Sequence, residues 1–180
     1  MCIVAWIPTE DGFTVFSNRD DRPAKAHLSN HRHQENNFIV LLNGGLENHI
    51  PKPPYRASRV EVLNTFFEFK DVEDFKKYFV FEGMEPFTLV IYLAQKLQQV
   101  VWTGSEVLYH SLDKTILHLW ASSTLYTPEQ QLHFKHQVEQ VLEEENSVVQ
   151  PIESLFQHQF QFPGNGYGTV TLSTTCVQLD

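Results

Sequence analysis

The sequence predicts an α+β fold, on three observations. The chain opens with two β-rich runs, residues 1–7 and 13–21, around a turn-rich segment at 8–12. Its middle carries two short apolar patterns at helical spacing, set between further strand-like runs. A long amphipathic stretch then starts at Pro128, and a β-rich segment at 170–179 closes the chain.

Taken in order, the first two runs predict a hairpin with a loop of the longer kind. Pairing Ile7 with Phe13 sets Cys2 opposite Asn18, with Arg19 and Asp20 next along. Cys2, Val4 and Trp6 fall on one face and Ile3, Ala5 and Ile7 on the other, which predicts an inner strand covered on both sides. Residues 22–37 are polar, rich in His and Asn, and read as an exposed loop. Residues 38–43 read as a buried strand ending at Asn43-Gly44-Gly45. Ser58-Arg59-Val60-Glu61 has the pattern of a capping box, with Val60, Leu63 and Phe67 on one helical face. Asp71 is placed to cap a second short helix carrying Phe75 and Phe79.

Residues 88–94 and 97–102 predict a second hairpin across Gln95-Lys96, and 107–109 and 116–120 are shorter strands. Thr127 caps a helix with Pro128 at its first position. Phe134, Val138, Val141 and Leu142 repeat at helical spacing up to Glu143-Glu144-Glu145, which faces water. A loop with Pro163, Gly164, Gly166 and Gly168 leads to the last strand. There is no internal repeat, linker or low-complexity tract, so residues 1–180 are expected to form a single domain.

Hydrophobic residues make up 42% and aromatic residues 13%, with fourteen Phe, which describes a packed core rather than a disordered chain. The formal charge is −9 and the only basic pair is Lys76-Lys77, so no nucleic-acid partner is expected. Cys2 and Cys176 are the two cysteines; they are enough for one disulfide but not for a secreted disulfide framework. The apolar start is too short for a signal peptide, and no stretch approaches the ~20 apolar residues of a membrane span. A cytoplasmic protein with no membrane partner and no cofactor is expected.

Cys2 leads the candidates for chemistry. A free Cys is often simply a small buried residue. At position 2, however, trimming of Met1 leaves a thiol and an α-amine on one residue, a nucleophile beside a base that titrates near neutrality. Arg19 and Asp20 are also fit to form a strand-end ion pair, and Asn43 an Asn-Gly turn. His31-x-His33 and His133-x-x-His136 have ligand-like spacing without a carboxylate or Cys partner, so solvated histidines are expected and no metal. Gly164-x-Gly166-x-Gly168 leads into a strand, so no helix N-terminus waits there for a phosphate. Gly-x-Ser-x-Gly, Walker and His-Glu-x-x-His motifs are absent.

MCIVAWIP followed by Asn18-Arg19-Asp20-Asp21-Arg22-Pro23 resembles the NRDE family, which includes the transport-and-Golgi-organisation proteins. That family is itself similar to the cysteine N-terminal-nucleophile (Ntn) hydrolases. The resemblance extends through Leu41-Leu42-Asn43-Gly44, Lys52-Pro53-Pro54-Tyr55-Arg56, Glu85-Pro86-Phe87-Thr88-Leu89 and the run from Trp120 to Pro128, so it covers most of the chain. It implies a four-layer αββα sandwich of two antiparallel sheets. It also implies hydrolysis of a linear amide C–N bond in a small molecule, with Cys2 as nucleophile, Arg19 and Asp20 as its partners and Asn43 as oxyanion donor. Asn18, Ser122 and Ser123 would contact substrate. The alternative on the same scaffold is a non-catalytic protein that binds or carries a small molecule. The chain departs from the family in four places. The Gly-Gly-Thr-Trp strand before residue 38 has no counterpart, and Asp21 replaces Glu. Ser123 stands where many relatives have Asn, and Val170 stands where a Tyr-Gly-Thr-Arg stretch has Arg.

Overall fold

The computed structural model describes residues 2–21, 30–144, 149–156 and 168–178. They form two antiparallel sheets with helices, an α+β fold. The chain divides into two compact units, Met1–Leu28 with Lys114–Asp180, and Ser29–Asp113.

The first unit holds a four-stranded sheet in the order β8-β1-β2-β9. Strands β1 (Cys2–Thr9) and β2 (Gly12–Asp21) are the expected hairpin. Its loop is shorter than expected: Thr9 pairs with Gly12, leaving only Glu10 and Asp11 between the strands. This tighter turn moves the register by one residue. Ile7 therefore pairs with Thr14, and Cys2 lies opposite Arg19 rather than Asn18. β8 (His118–Ala121) and β9 (Gly168–Gln178) flank the hairpin. Ile3, Val4, Ala5, Trp6 and Ile7 are all buried, so β1 is the inner strand that its two-faced apolar pattern predicts.

Ile3, Ala5, Ile7 and Phe16 pack on one face against Phe134 and Val138 of α3 (Pro128–Glu144) and Ile152 of α4 (Val149–Ser154). On the other face the Trp6 and Phe13 rings stack with centroids 3.8 Å apart, and Trp6 Nε1 donates to the Lys114 carbonyl. Thr127 starts α3 as expected. Its Oγ1 accepts from Gln130 N while its own N–H donates to Gln130 Oε1, a reciprocal capping box. The sequence reading gave no helix at α4. Pro151 obscures it, although a first-turn proline gives up only an N–H that has no intrahelical partner.

The second unit is a five-stranded meander in the order β3-β4-β5-β6-β7. β3 (His31–Gln34) lies within the stretch expected to be a loop, and its polar residues are those of an edge strand. The chain thus does not pass straight into β4 (Asn37–Asn43); a polar strand precedes it. β5 (Phe87–Leu93), β6 (Lys96–Trp102) and β7 (Val107–Leu112) complete the sheet.

One face of this sheet, with Ile39, Leu41, Leu89 and Val100, packs on α1 (Val60–Thr65), α2 (Val72–Tyr78) and the segments around them. Phe75 is the centre of that layer, with ring centroids 4.8 Å from Phe79, 5.1 Å from Phe66 and 5.4 Å from Phe81. Each such pair adds about 0.5–1.5 kcal/mol beyond its buried area. Asp71 caps α2 by accepting from Asp74 N, as its position predicts. Ser58 does not complete a capping box on α1. Its Oγ accepts from Val60 N, and Glu61 turns to Arg56 instead. The buried stripe of α1 is correspondingly Val62 and Leu63, followed by Phe66, rather than Val60, Leu63 and Phe67.

The β5–β6 turn is Ala94-Gln95, one residue earlier than expected, and both residues have positive φ (50° and 62°). A non-glycine residue there sits in the left-handed region at a cost of about 1–2 kcal/mol, partly offset in the exchange for glycine by the entropy glycine loses on folding. Gln95→Gly should therefore raise stability by about 0.5–1 kcal/mol in denaturant titration. An unchanged or lower midpoint would show that the turn carries no such strain.

Candidate functional site

The register of the first sheet decides what surrounds Cys2. Its Cα partner on β2 is Arg19. On the other side β8 pairs Ile3 with Ala121, so the same register continued by one residue brings Ser122 level with Cys2. Ser122 is fully buried, and its carbonyl accepts from Leu125 N and Tyr126 N at 2.9 and 3.0 Å. That tight turn ends β8 at the level of Cys2 and leads the chain towards α3. Ser123 follows, half-buried. Arg19 and Ser122 thus stand on the two strands or strand ends flanking the thiol position.

Asn18 is also fully buried, and its Oδ1 accepts from Ile3 N at 2.7 Å. It fastens the backbone directly after Cys2 to β2, so within this sheet it acts as a clamp on the hairpin. Next to it the β2–β9 pairing shifts register between Arg19 and Asp20: Arg19 pairs with Thr171 and Asp20 with Thr169. Val170 is the extra residue of this bulge, and bulges recur beside active sites because they re-aim the strand. Asp21 pairs with Gly168. Met1, the expected trimming site, lies outside the described residues.

Asn43 lies in the second unit, half-buried at the end of β4 and paired with Phe87. Gly44 beyond it has φ 88° and donates its N–H to the Pro86 carbonyl.

A disulfide between the cysteines is excluded by register. Cys176 pairs with Thr14, two strands away from β1 and five residues along from the level of Cys2. That separates the Cα atoms by about 19 Å, against the limit of about 7 Å for a disulfide.

The histidine pairs divide. His133 and His136 are exposed on α3. His31 and His33 meet edge to face on β3, with ring centroids 5.3 Å apart. His31 is held below its ordinary value of 6.5 by burial and by the His33 charge, and His33 is lowered by burial. Among the described residues no three His, Cys, Asp or Glu side chains gather as a metal site. One polar cluster escaped the sequence reading. In the second unit Glu85 accepts from Arg59 Nη2 at 3.1 Å and from His49 Nε2 at 3.2 Å. Its three members are scattered over thirty-seven positions of sequence without a local motif, so only the fold assembles them.

Two outcomes follow. Asn18→Ala leaves the Ile3 N–H buried without this acceptor, which should cost about 1–3 kcal/mol and speed amide exchange at Ile3; unchanged exchange would remove the clamp. A histidine with a lowered folded-state pKa binds fewer protons folded than unfolded. Its contribution is therefore intact above pH 6.5 and is lost as the pH falls below that value. The melting temperature should drop between pH 7.5 and 5.5, and His31→Gln should flatten that drop.

No helix among the described residues is long and apolar enough to cross a membrane. No family model matches the chain, and no curated protein matches it.

Proposed function

We propose that the chain is an NRDE-type cysteine Ntn amidohydrolase that cleaves a linear amide C–N bond of a small molecule. The observation that carries this reading is the register at Cys2, which sets Arg19 on one side and buried Ser122 on the other. The architecture supports it as well. Each sheet packs helices on one face, yet Val4 and Trp6 of β1, and Val40 and Leu42 of β4, are buried on the opposite faces. Sheets buried on both faces are what the inner layers of a four-layer αββα sandwich require.

In the proposed reaction the α-amine of Cys2 takes the thiol proton, directly or through water. The thiolate attacks the amide carbonyl carbon, forming the C–S bond as the carbonyl electrons move onto oxygen. Collapse of this adduct breaks the C–N bond, and the ammonium passes its proton to the leaving nitrogen. Water then adds to the thioester, releasing the acid and restoring the thiol. The Arg19 guanidinium lowers the thiol pKa and holds the substrate carbonyl or carboxylate, while Asp20 orients the α-ammonium. Asn43 belongs to this scheme through the family resemblance alone, as a donor to the oxyanion. The alternative, non-catalytic binding or transport of a small molecule, is favoured by one observation. The bulge residue beside Arg19 and Asp20 is Val170, where the family carries Arg.

Thiol reactivity and turnover separate the two. Iodoacetamide labelling should titrate at Cys2 below the ~8.5 of a free thiol and well ahead of Cys176. A panel of small amides should include one that wild-type protein hydrolyses and Cys2→Ala does not, and Asn43→Ala should lower that turnover without changing labelling. The mechanism needs a free amine on Cys2, so a tag ahead of Cys2 should abolish turnover and its removal restore it. Full activity in protein proven by mass to retain Met1 would sink the N-terminal-nucleophile mechanism. Ordinary labelling at Cys2 with no amide turned over would leave the binding reading.

A further inference from the structure

The second unit contains a cavity of about 420 Å³ between the loop after β4, the segment before β5 and the β6–β7 turn. Its size lies in the range of small-molecule sites. Ile50, Pro54, Met84 and Pro86 give it apolar walls, and Ile50 is 83% exposed at its edge. Its polar lining has an unusual charge. In a chain of net charge −9, Lys52 lines this cavity and no Asp or Glu among the described residues does.

Glu85, which pairs with the lining residue His49, is already engaged. Arg59 holds one of its oxygens and His49 the other, so its negative charge is matched before any ligand arrives. An ionised carboxylate only accepts hydrogen bonds, so His49 Nε2 must carry a proton towards it. The other ring nitrogen, Nδ1, is buried with no hydrogen-bond partner among the described residues. The Tyr55 hydroxyl accepts from Lys52 N at 2.7 Å, which leaves its own proton free to donate. Lys52 and Tyr55 both line the cavity, so the side chains at its wall carry an ammonium and a phenolic donor beside apolar residues.

We propose that this cavity is a binding site for a monocarboxylate with an apolar tail. The carboxylate sits against Lys52 and the Tyr55 hydroxyl, and the tail lies on Ile50, Pro54, Met84 and Pro86. This site is built within one unit and does not depend on the chemistry assigned to Cys2.

Octanoate is the probe, with octanamide as its uncharged counterpart of the same length. Octanoate added to ¹⁵N-labelled protein should shift the amide signals of Gly83, Met84, Thr103, Gly104 and Ser105, and octanamide should bind at least tenfold more weakly. Lys52 is exposed, so Lys52→Gln should fold with an unchanged melting temperature. It should weaken octanoate about tenfold, the loss expected for one charge-assisted hydrogen bond, and leave octanamide unaffected. Lys96→Gln, an exposed charge outside the cavity, should alter neither. Equal binding of octanoate and octanamide, an undiminished affinity in Lys52→Gln, shifts confined to other residues, or no binding at millimolar octanoate would each overturn the proposal.

Discussion

The burial of β1 is the constraint on which the first unit depends. Residues 3–7 are buried, and residues 3–6 pair with a strand on each edge, so a slip of one residue would exchange every side chain between the two faces. Trp6 makes the alternatives costly, because its ring must meet Phe13 while its Nε1 reaches the Lys114 carbonyl. The two-residue Glu10-Asp11 loop and the Asn18 clamp fix the same register from opposite ends of the hairpin. The position of Cys2 relative to Arg19 and Ser122 therefore follows from core packing. The neighbourhood of the thiol is set by groups far from any chemistry.

The second unit depends on a different device. Its sheet is a simple meander, and the layer over it is built from short helices whose own hydrogen bonds could not hold them. The phenylalanines around Phe75 supply what the helices lack in length. The Arg59–Glu85–His49 cluster then ties the start of α1 to the loop after β4 and to the segment entering β5. Both oxygens of Glu85 are thereby engaged within the cluster, beside the cavity that His49 lines.

Much of this was legible in the residues, and the failures have physical causes. The two-faced apolar pattern of residues 3–7, the Asp71 cap and the Thr127-Pro128 start each name a local interaction, and each is present. The hairpin register was not legible, because Pro8, Thr9 and Gly12 all have turn propensity and only pairing across the strands decides which of them join the ladder. β3 was missed because an edge strand can be polar throughout, and α4 because a first-turn proline resembles a breaker. Ser58 kept the composition of a capping box but gave its hydroxyl to Val60, since Arg56 competes for Glu61. For the candidate site, the sequence named Cys2, Arg19 and Asn18; the hydrogen bond by which Asn18 fastens Ile3 has no local sequence signal, because it depends on the pairing of the two strands.

The division of the chain has a consequence for its synthesis. The second unit is one continuous segment, Ser29–Asp113, whereas the first takes its opening hairpin from one end of the sequence and its flanking strands from the other. A ribosome delivers the meander complete while β1 and β2 still lack β8, β9 and the helices α3 and α4 that cover one of their apolar faces. Sheets closed by contacts so distant in sequence form slowly, and an unpaired hairpin this apolar is prone to associate with other chains meanwhile. The hairpin that bears Cys2 is thus made before the meander and completed after it, and during that interval its apolar faces stay uncovered.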